Sequence, residues 1–131
     1  MIEHTLSVRV RYGETDQMGV VYHANYLLYF EIGRTELLRA AGVAYGELEK
    51  TGVFLVVTEA SCRYRAAARY DDLLRVTARV ASVGKARVRF EYAVHGPDGS
   101  LLTEGHTELA SVDREKRPVR LPHGIVRRLT S

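Results

Sequence analysis

From Tyr12 to Tyr26 the chain reads Tyr12-Gly13-Glu14-Thr15-Asp16-Gln17-Met18-Gly19-Val20-Val21-Tyr22-His23-Ala24-Asn25-Tyr26, residue types and a spacing that suit hydrolysis. Asp16 brings a carboxylate into a glycine-containing turn and is the only acid between that turn and a helix start near Asn25. A carboxylate is ionised at neutral pH, so it can attack an activated carbonyl or deprotonate a water. The backbone N–H groups from His23 to Asn25 lie where a helix begins. They lack an intrahelical acceptor there and can hold a developing negative charge. One short segment thus offers an attacking group and an oxyanion site. Asp16 reads equally well as a turn residue capping its own backbone.

The neighbouring residues have similar double readings. His23 can donate a hydrogen bond to a substrate or leaving group. Asn25 reads more as a helix N-cap than as a substrate contact. Glu31, about two turns into the helix, competes with Asp16 as an acid, but it also pairs at i, i+3 spacing with Arg34 as a surface ion pair. His4, His95, His106 and His123 show no ligand spacing, so no metal site is expected.

These residues carry a resemblance. The run Asp16-x-x-Gly19-Val20-Val21-Tyr22-His23-x-Asn25-Tyr26, followed by Glu31-x-x-Arg34, resembles the signature of the 4-hydroxybenzoyl-CoA thioesterase-like branch of the hot-dog-fold acyl-CoA thioesterases. Tyr64-Arg65-Ala66-Ala67-Ala68-Arg69-Tyr70-Asp71-Asp72-x-Leu74-x-Val76 and Gly84-Lys85-Ala86-Arg87-Val88-Arg89-Phe90-Glu91-Tyr92 are similar to that family's later blocks. The matches reach from about Val8 to Val112, with the first block the specific one.

The resemblance implies that Asp16 is the catalytic carboxylate and that the backbone N–H of His23 polarises the thioester oxygen. The His23 side chain is then auxiliary, since some members carry another residue there. A sister hot-dog family places a catalytic glutamate at about the depth of Glu31. Thioesters suit this modest machinery, because a thiolate leaves far more easily than an amide nitrogen; neither a metal nor a cofactor is expected, coenzyme A entering as part of the substrate. The resemblance also implies a homodimer joined sheet edge to sheet edge, assembling to a homotetramer, with the site at the dimer interface.

Composition agrees with a small soluble enzyme. The chain has 131 residues, 46% of them hydrophobic, enough for one domain over residues 1–131. No apolar run spans a bilayer, and Glu3, His4, Arg9 and Arg11 interrupt any signal-peptide pattern, so a cytoplasmic location and no membrane partner are expected. The single cysteine, Cys62, precludes an intrachain disulfide and reads as a half-buried strand thiol. The net charge of +3 is mild but uneven, with Arg114, Lys116, Arg117, Arg120, Arg127 and Arg128 crowding the C-terminal segment. Such a balance suits the phosphates of coenzyme A better than nucleic acid.

The elements that must position this chemistry are legible in the periodicity. Leu6, Val8, Val10 and Tyr12 alternate with Ser7, Arg9 and Arg11, predicting a first strand over residues 4–12. From Asn25 the period becomes helical, with Tyr26, Tyr29, Phe30, Gly33, Leu37, Ala40 and Ala41 on one face and Gly42 as the C-terminal stop. Gly33 inside that helix predicts a backbone packed close to it. After a short helix around Tyr45–Lys50 the pattern predicts β structure to the end. A long run spans Val53 to about Ala68, and after a corner at Tyr70-Asp71-Asp72 three further strands follow, divided by turns at Val83–Ala86 and His95–Ser100. One long helix and about five antiparallel strands predict an α+β fold, a curled sheet wrapped around the helix, which is the hot-dog inventory.

The expected function is hydrolysis of an acyl-CoA thioester to free acid and coenzyme A. The acyl group enters beside Asp16, with Gly19, Val20, Tyr22, Asn25, Tyr26 and Tyr64 around it and the phosphates meeting Lys85, Arg87 and Arg65. One alternative is a non-catalytic binder of acyl-CoA or single-stranded RNA. It is disfavoured because Tyr12, Tyr22, Tyr26 and Tyr29 cluster at the helix start instead of interleaving with basic residues on a sheet face. A hot-dog hydroxyacyl-thioester dehydratase would need a paired histidine and acid, for which His23 with Glu31 is the weak candidate.

Overall fold

The computed structural model describes all 131 residues. The chain runs β1 (Glu3–Arg9), a single 3-10 turn (Tyr12–Glu14), α1 (Asn25–Ala40), α2 (Tyr45–Lys50), β2 (Phe54–Tyr64), β3 (Leu73–Val83), β4 (Arg87–His95), β5 (Leu101–Val112) and α3 (His123–Thr130). All five strands form one antiparallel sheet in the order β1-β3-β4-β5-β2. The sheet curls around α1, which packs on β1, β3, β4 and β2. This is the hot-dog arrangement.

Alternation decides which face of the sheet meets the helix. In β4, Val88, Phe90, Tyr92 and Val94 are buried while Arg87, Arg89, Glu91 and Ala93 face outward. The helix answers with Tyr26, Tyr29, Phe30, Gly33, Leu37 and Leu38. Phe30 stacks on Tyr92 with ring centroids 4.4 Å apart. The Tyr92 hydroxyl meets Thr107 Oγ1 at 2.6 Å and accepts from Arg34 Nη1 at 3.1 Å, so the buried phenol is satisfied. Arg34 therefore turns inward, and the surface pair with Glu31 does not form.

Several boundaries differ from the sequence reading. The first strand ends at Arg9, because the chain then leaves β3 and enters the 3-10 turn, leaving Tyr12 exposed. β2 stops at Tyr64, where Arg65 N–H and Ala66 N–H both turn to the Leu102 carbonyl and break the ladder. On α1 the buried stripe ends at Leu37 and Leu38, not Ala40 and Ala41. Gly33 is met by side chains and not by backbone: a Cβ there would lie 3.0 Å from Val76 Cγ1 and 3.4 Å from Ala78 Cβ.

The chain is also not β to its end, since α3 follows Pro122 and buries Leu129 against the core. Proline just before a helix is a start signal, but eight residues rich in Arg give too short a period to read.

At Gly105 on β5 the packing leaves no room for a side chain. Where its Cβ would be, Phe30 Cε2 lies at 2.8 Å and the Ser61 carbonyl of β2 is nearer still. Backbone cannot yield there. Gly105→Ala is expected to lower stability by at least about 2 kcal/mol, the scale of an overpacked core, measured as a shift in the urea midpoint. An unchanged midpoint would mean that β5 has slack against α1.

Candidate active site

The segment from Glu14 to Tyr22 folds back on itself as a small hairpin. Tyr22 N–H donates to the Glu14 carbonyl at 2.9 Å, Thr15 bridges to Val21, and Asp16 N–H donates to the Val20 carbonyl at 2.9 Å. Gly19 N–H closes the tip on the Asp16 carbonyl at 3.0 Å, with Gly19 at φ +78, a conformation glycine adopts without strain. Asp16 Oδ1 accepts the Met18 N–H at 2.9 Å, so the turn-capping role is real. That bond occupies one oxygen. The other has no partner in the chain, and the residue is half-buried.

At the base of the hairpin the chain enters α1. Asn25 N–H bonds to the Tyr22 carbonyl and Tyr26 N–H to that of His23, but the N–H groups of His23 and Ala24 find no acceptor. Both residues are exposed, and the positive end of the helix lies behind these donors. Asp16 stands two residues along the arm from the Glu14–Tyr22 pair, about 7 Å at ~3.3 Å per residue.

Aromatic side chains brace the helix start. Tyr64, at the end of β2, donates its hydroxyl to the His23 carbonyl at 3.2 Å, and its ring lies edge-on to those of His23 and Tyr26 at 6.1 and 5.6 Å. Tyr22 lies against the His23 ring at 4.6 Å. Tyr26 is buried, and its hydroxyl accepts the Ala68 N–H at 3.2 Å, while the Ala68 carbonyl accepts Val21 N–H at 2.8 Å. The 65–69 strap is thus stitched to both the hairpin and the helix.

The structure therefore brings Asp16, Gly19, Val20, Tyr22, His23, Asn25, Tyr26 and Tyr64 together. Asn25 is not the N-cap: Ala24 holds that position with no side-chain cap bond, and the Asn25 amide donates to the Glu14 carbonyl at 2.8 Å. Glu31 is exposed on the outer side of α1 without a hydrogen-bond partner, unpaired with His23. Arg65 is held by Glu104 at 2.5 Å on the outer sheet face. Arg87 pairs with Ala110 and Tyr64 with Thr103, seven positions apart on β5. At ~3.3 Å per residue that puts the Arg87 end, with Lys85 in the adjoining turn, about 23 Å from Tyr64 in the same chain.

Two residues escaped the sequence reading. Arg69 bridges Val20 through the backbone, and its guanidinium lies 3.8 Å from the Cβ position of Gly19, a cation beside the turn with no carboxylate partner. Glu14 holds the hairpin base through both its side chain and its carbonyl. Its signal was the position three residues after Arg11, the spacing of a capping box.

Two concavities lie elsewhere. One, about 650 Å³, sits on the outer sheet face among Arg63, Arg79, Arg89, Glu91 and His106, and another of about 320 Å³ lies between α2 and α3. Neither includes Asp16 or His23. The convergent backbone donors and the free carboxylate oxygen outweigh cavity size as a guide to chemistry, because a carbonyl must meet them and nothing comparable lines the larger groove.

Residues 10–129 match the thioesterase-like superfamily. Acyl-CoA thioester hydrolase YbgC of Escherichia coli O6:H1 is 36% identical over 120 residues, covering 91% of this chain and 90% of that protein. Acyl-CoA thioesterase YbgC of Haemophilus influenzae is 39% identical over 117 residues, covering 88% and 85%. Among solved structures, a DHNA-CoA thioesterase from Staphylococcus aureus superposes with a TM-score of 0.89 at 33% identity, covering 92% of this chain and 82% of that one. With the fold, these likenesses define the class, an enzyme that hydrolyses thioesters. The chain belongs to the thioesterase-like superfamily, as residues 64–92 and the Asp16–Tyr26 run led us to expect.

The Glu14 carboxylate gives the hairpin a pH dependence. Burial raises its pKa, but hydrogen bonds from Arg11 N–H, the Tyr29 hydroxyl and the Arg11 guanidinium outweigh burial and hold it below the ordinary 4.5. A depressed carboxylate adds stability that is present above pH 4.5 and lost as pH falls through the lower folded-state value. Chemical denaturation between pH 6 and 3 is expected to show stability declining below about 4.5, with a shallower decline in Glu14→Gln. Identical slopes in the two proteins would remove Glu14 from the titration.

Proposed function

We propose that the protein hydrolyses an acyl-CoA thioester to a carboxylic acid and coenzyme A, with Asp16 as the catalytic carboxylate. The observation that carries this reading is the pairing, on one hairpin, of an Asp16 oxygen without a partner and the unbonded N–H groups of His23 and Ala24. The thioester oxygen sits on those donors, which strengthen their bonds as it becomes an oxyanion. The free Asp16 oxygen attacks the carbonyl carbon or takes a proton from the attacking water. After direct attack the C–S bond breaks to leave an acyl–Asp16 anhydride, which a water then hydrolyses, its protons going to the thiolate and to solvent. After attack by water the C–S bond breaks to give the acid, and the proton taken up by Asp16 passes to the departing thiolate. Tyr22, Tyr26 and Tyr64 flank the acyl group, and His23 stands by the leaving sulfur. The names of the relatives support the acyl-CoA substrate.

No exposed Tyr or Phe lies on the outer face of the sheet, which leaves the RNA reading without a stacking platform. The dehydratase reading is the less supported, since Glu31 is exposed and makes no hydrogen bond or ion pair with His23 within the chain.

A site this open is completed by a second copy of the chain. Leu27, Leu28 and Ile32 are exposed on the outer side of α1, with Leu28 at 54%, and β2 is an edge strand with Val57 half exposed. An uncovered edge beside an apolar helix flank is what edge-to-edge pairing buries. Such a homodimer, paired further to a homotetramer, brings Lys85 and Arg87 of the partner copy within reach of the phosphates. Arg69 is their counterpart beside Asp16. Sedimentation at micromolar concentration is expected to show an oligomer; a monomer there would remove the shared site.

Asp16→Asn keeps the Met18 turn bond through its amide oxygen but removes the charge. The expected fall in kcat is at least about a hundredfold, the scale of a lost general base, in a folded protein. Glu31→Gln should cost less. A thiol-release assay on a panel of acyl-CoAs tests both, and near-normal Asp16→Asn with inactive Glu31→Gln would transfer the chemistry to the helix acid.

A further inference from the structure

Glu14 is bonded more completely than a turn residue requires. Its side chain is only 14% exposed, and its two oxygens have separate partners. Oε1 accepts the Arg11 backbone N–H and the Tyr29 hydroxyl, each at 2.9 Å. Oε2 accepts from Arg11 Nε at 3.0 Å, with Arg11 Nη2 also at 3.0 Å. The Arg11 side chain is 80% exposed, so that ion pair is screened and weak. The Oε1 bonds are the stronger restraint, because Tyr29 is buried within α1 and cannot shift. Burial and the adjacent carboxylate push the Tyr29 phenol well above its ordinary value, so the hydroxyl stays a donor.

The carbonyl of the same residue accepts Tyr22 N–H and the Asn25 amide, at 2.9 and 2.8 Å. One residue thus ties the first arm of the hairpin to its second arm, to the start of α1 and to the interior of α1. Asp16 is the next residue but one. Tyr29 continues the path: its ring lies edge-on to Tyr26 at 5.7 Å, and Tyr26 holds Ala68, which holds Val21 on the opposite arm.

We infer that Glu14 is a positioning residue of the reaction: through Oε1 and Tyr29 it sets the separation between the Asp16 carboxylate and the free N–H groups of His23 and Ala24 without touching the substrate. The inference rests on the reading of Asp16 as the catalytic carboxylate. A carboxylate displaced by about 1 Å loses up to a hundredfold in rate while the acyl-CoA is still bound, so the effect belongs in kcat and not in KM.

The test uses full-length protein, with kcat and KM for an acyl-CoA measured per folded molecule well below the unfolding transition. Glu14→Ala is expected to lower kcat about tenfold or more with KM changed less than about twofold. Tyr29→Phe removes one of the two Oε1 donors and should lower kcat several-fold. Glu14→Gln should recover most of the loss, since its amide oxygen can take the place of Oε1 and accept from both Arg11 N–H and Tyr29. The Glu14→Ala/Tyr29→Phe double variant should be no slower than Glu14→Ala, because the one bond that Tyr29→Phe breaks is already lost in Glu14→Ala.

Wild-type kcat in Glu14→Ala and Tyr29→Phe, with Asp16→Asn inactive, would overturn the inference and leave the Asp16 reading intact. A Glu14→Gln protein as slow as Glu14→Ala would overturn it too, by making the charge and not the Oε1 bonds responsible. Should Glu14→Ala fail to fold, Tyr29→Phe and Glu14→Gln decide alone, and a normal kcat in Tyr29→Phe overturns it. An active Asp16→Asn would instead sink the proposed chemistry, whatever Glu14 does.

Discussion

Burying α1 in the curl of the sheet is the constraint on which everything else rests. The helix offers Tyr26, Tyr29, Phe30, Leu37 and Leu38, and the inward residues of β3, β4 and β5 close over them. Each such side chain taken from water contributes about 1.5–3 kcal/mol, so the helix has one favourable seat. Glycines let it sit down: at Gly33 the helix leaves room for Val76 and Ala78, and at Gly105 β5 leaves room for Phe30. A helix fixed in this way has a fixed first turn. The donors of His23 and Ala24 therefore point where packing along the whole helix puts them, which is what preorganised electrostatic stabilisation needs.

The hairpin before the helix uses the same anchoring. Its backbone pairs bring Glu14 opposite Tyr22 and lift Asp16 to the tip, and among its outside contacts are two buried residues, Tyr29 and Ala68. Asn25 and Tyr29 hold it from the helix, and Ala68 holds it through Val21. The hairpin thereby acquires the rigidity of the scaffold beneath it. Gln17, Met18, at 78% exposure, and Gly19 at the tip stand free of these restraints.

The two faces of the sheet have different roles. The inner face is apolar and packed. The outer face carries ladders of paired charge, Arg89 with Glu91 and Glu108, Arg79 with Glu91, and Arg65 with Glu104, and a hydrogen bond between His106 and Glu59. Such exposed pairs add little stability singly, but they keep that face hydrated and soluble. Exposed apolar side chains occur instead on the β2 edge, at Val57, and on the outer flank of α1, at Leu27, Leu28 and Ile32.

What the sequence by itself determined was whatever depends on neighbours in the chain. The inward alternation of β4, the stripe on α1, the stop at Gly42 and the Asp16–Gly19 turn are all local, because period and backbone dihedral preference need no distant residue. Asp16 and the unbonded N–H groups were legible for the same reason. Only the tertiary structure decided the rest. The Tyr64 bond to His23 and the Tyr26 bond to Ala68 join residues 41 and 42 positions apart, and the inward turn of Arg34 depends on where Tyr92 comes to lie. The distance from Tyr64 to Arg87, the nearness of Arg69 to Gly19 and the seat of Leu129 in the core likewise follow from strand register and sheet curl. A pattern along the chain states which side of a strand is buried; it does not state what will be waiting there, because that is fixed by the free energy of packing the whole sheet around one helix.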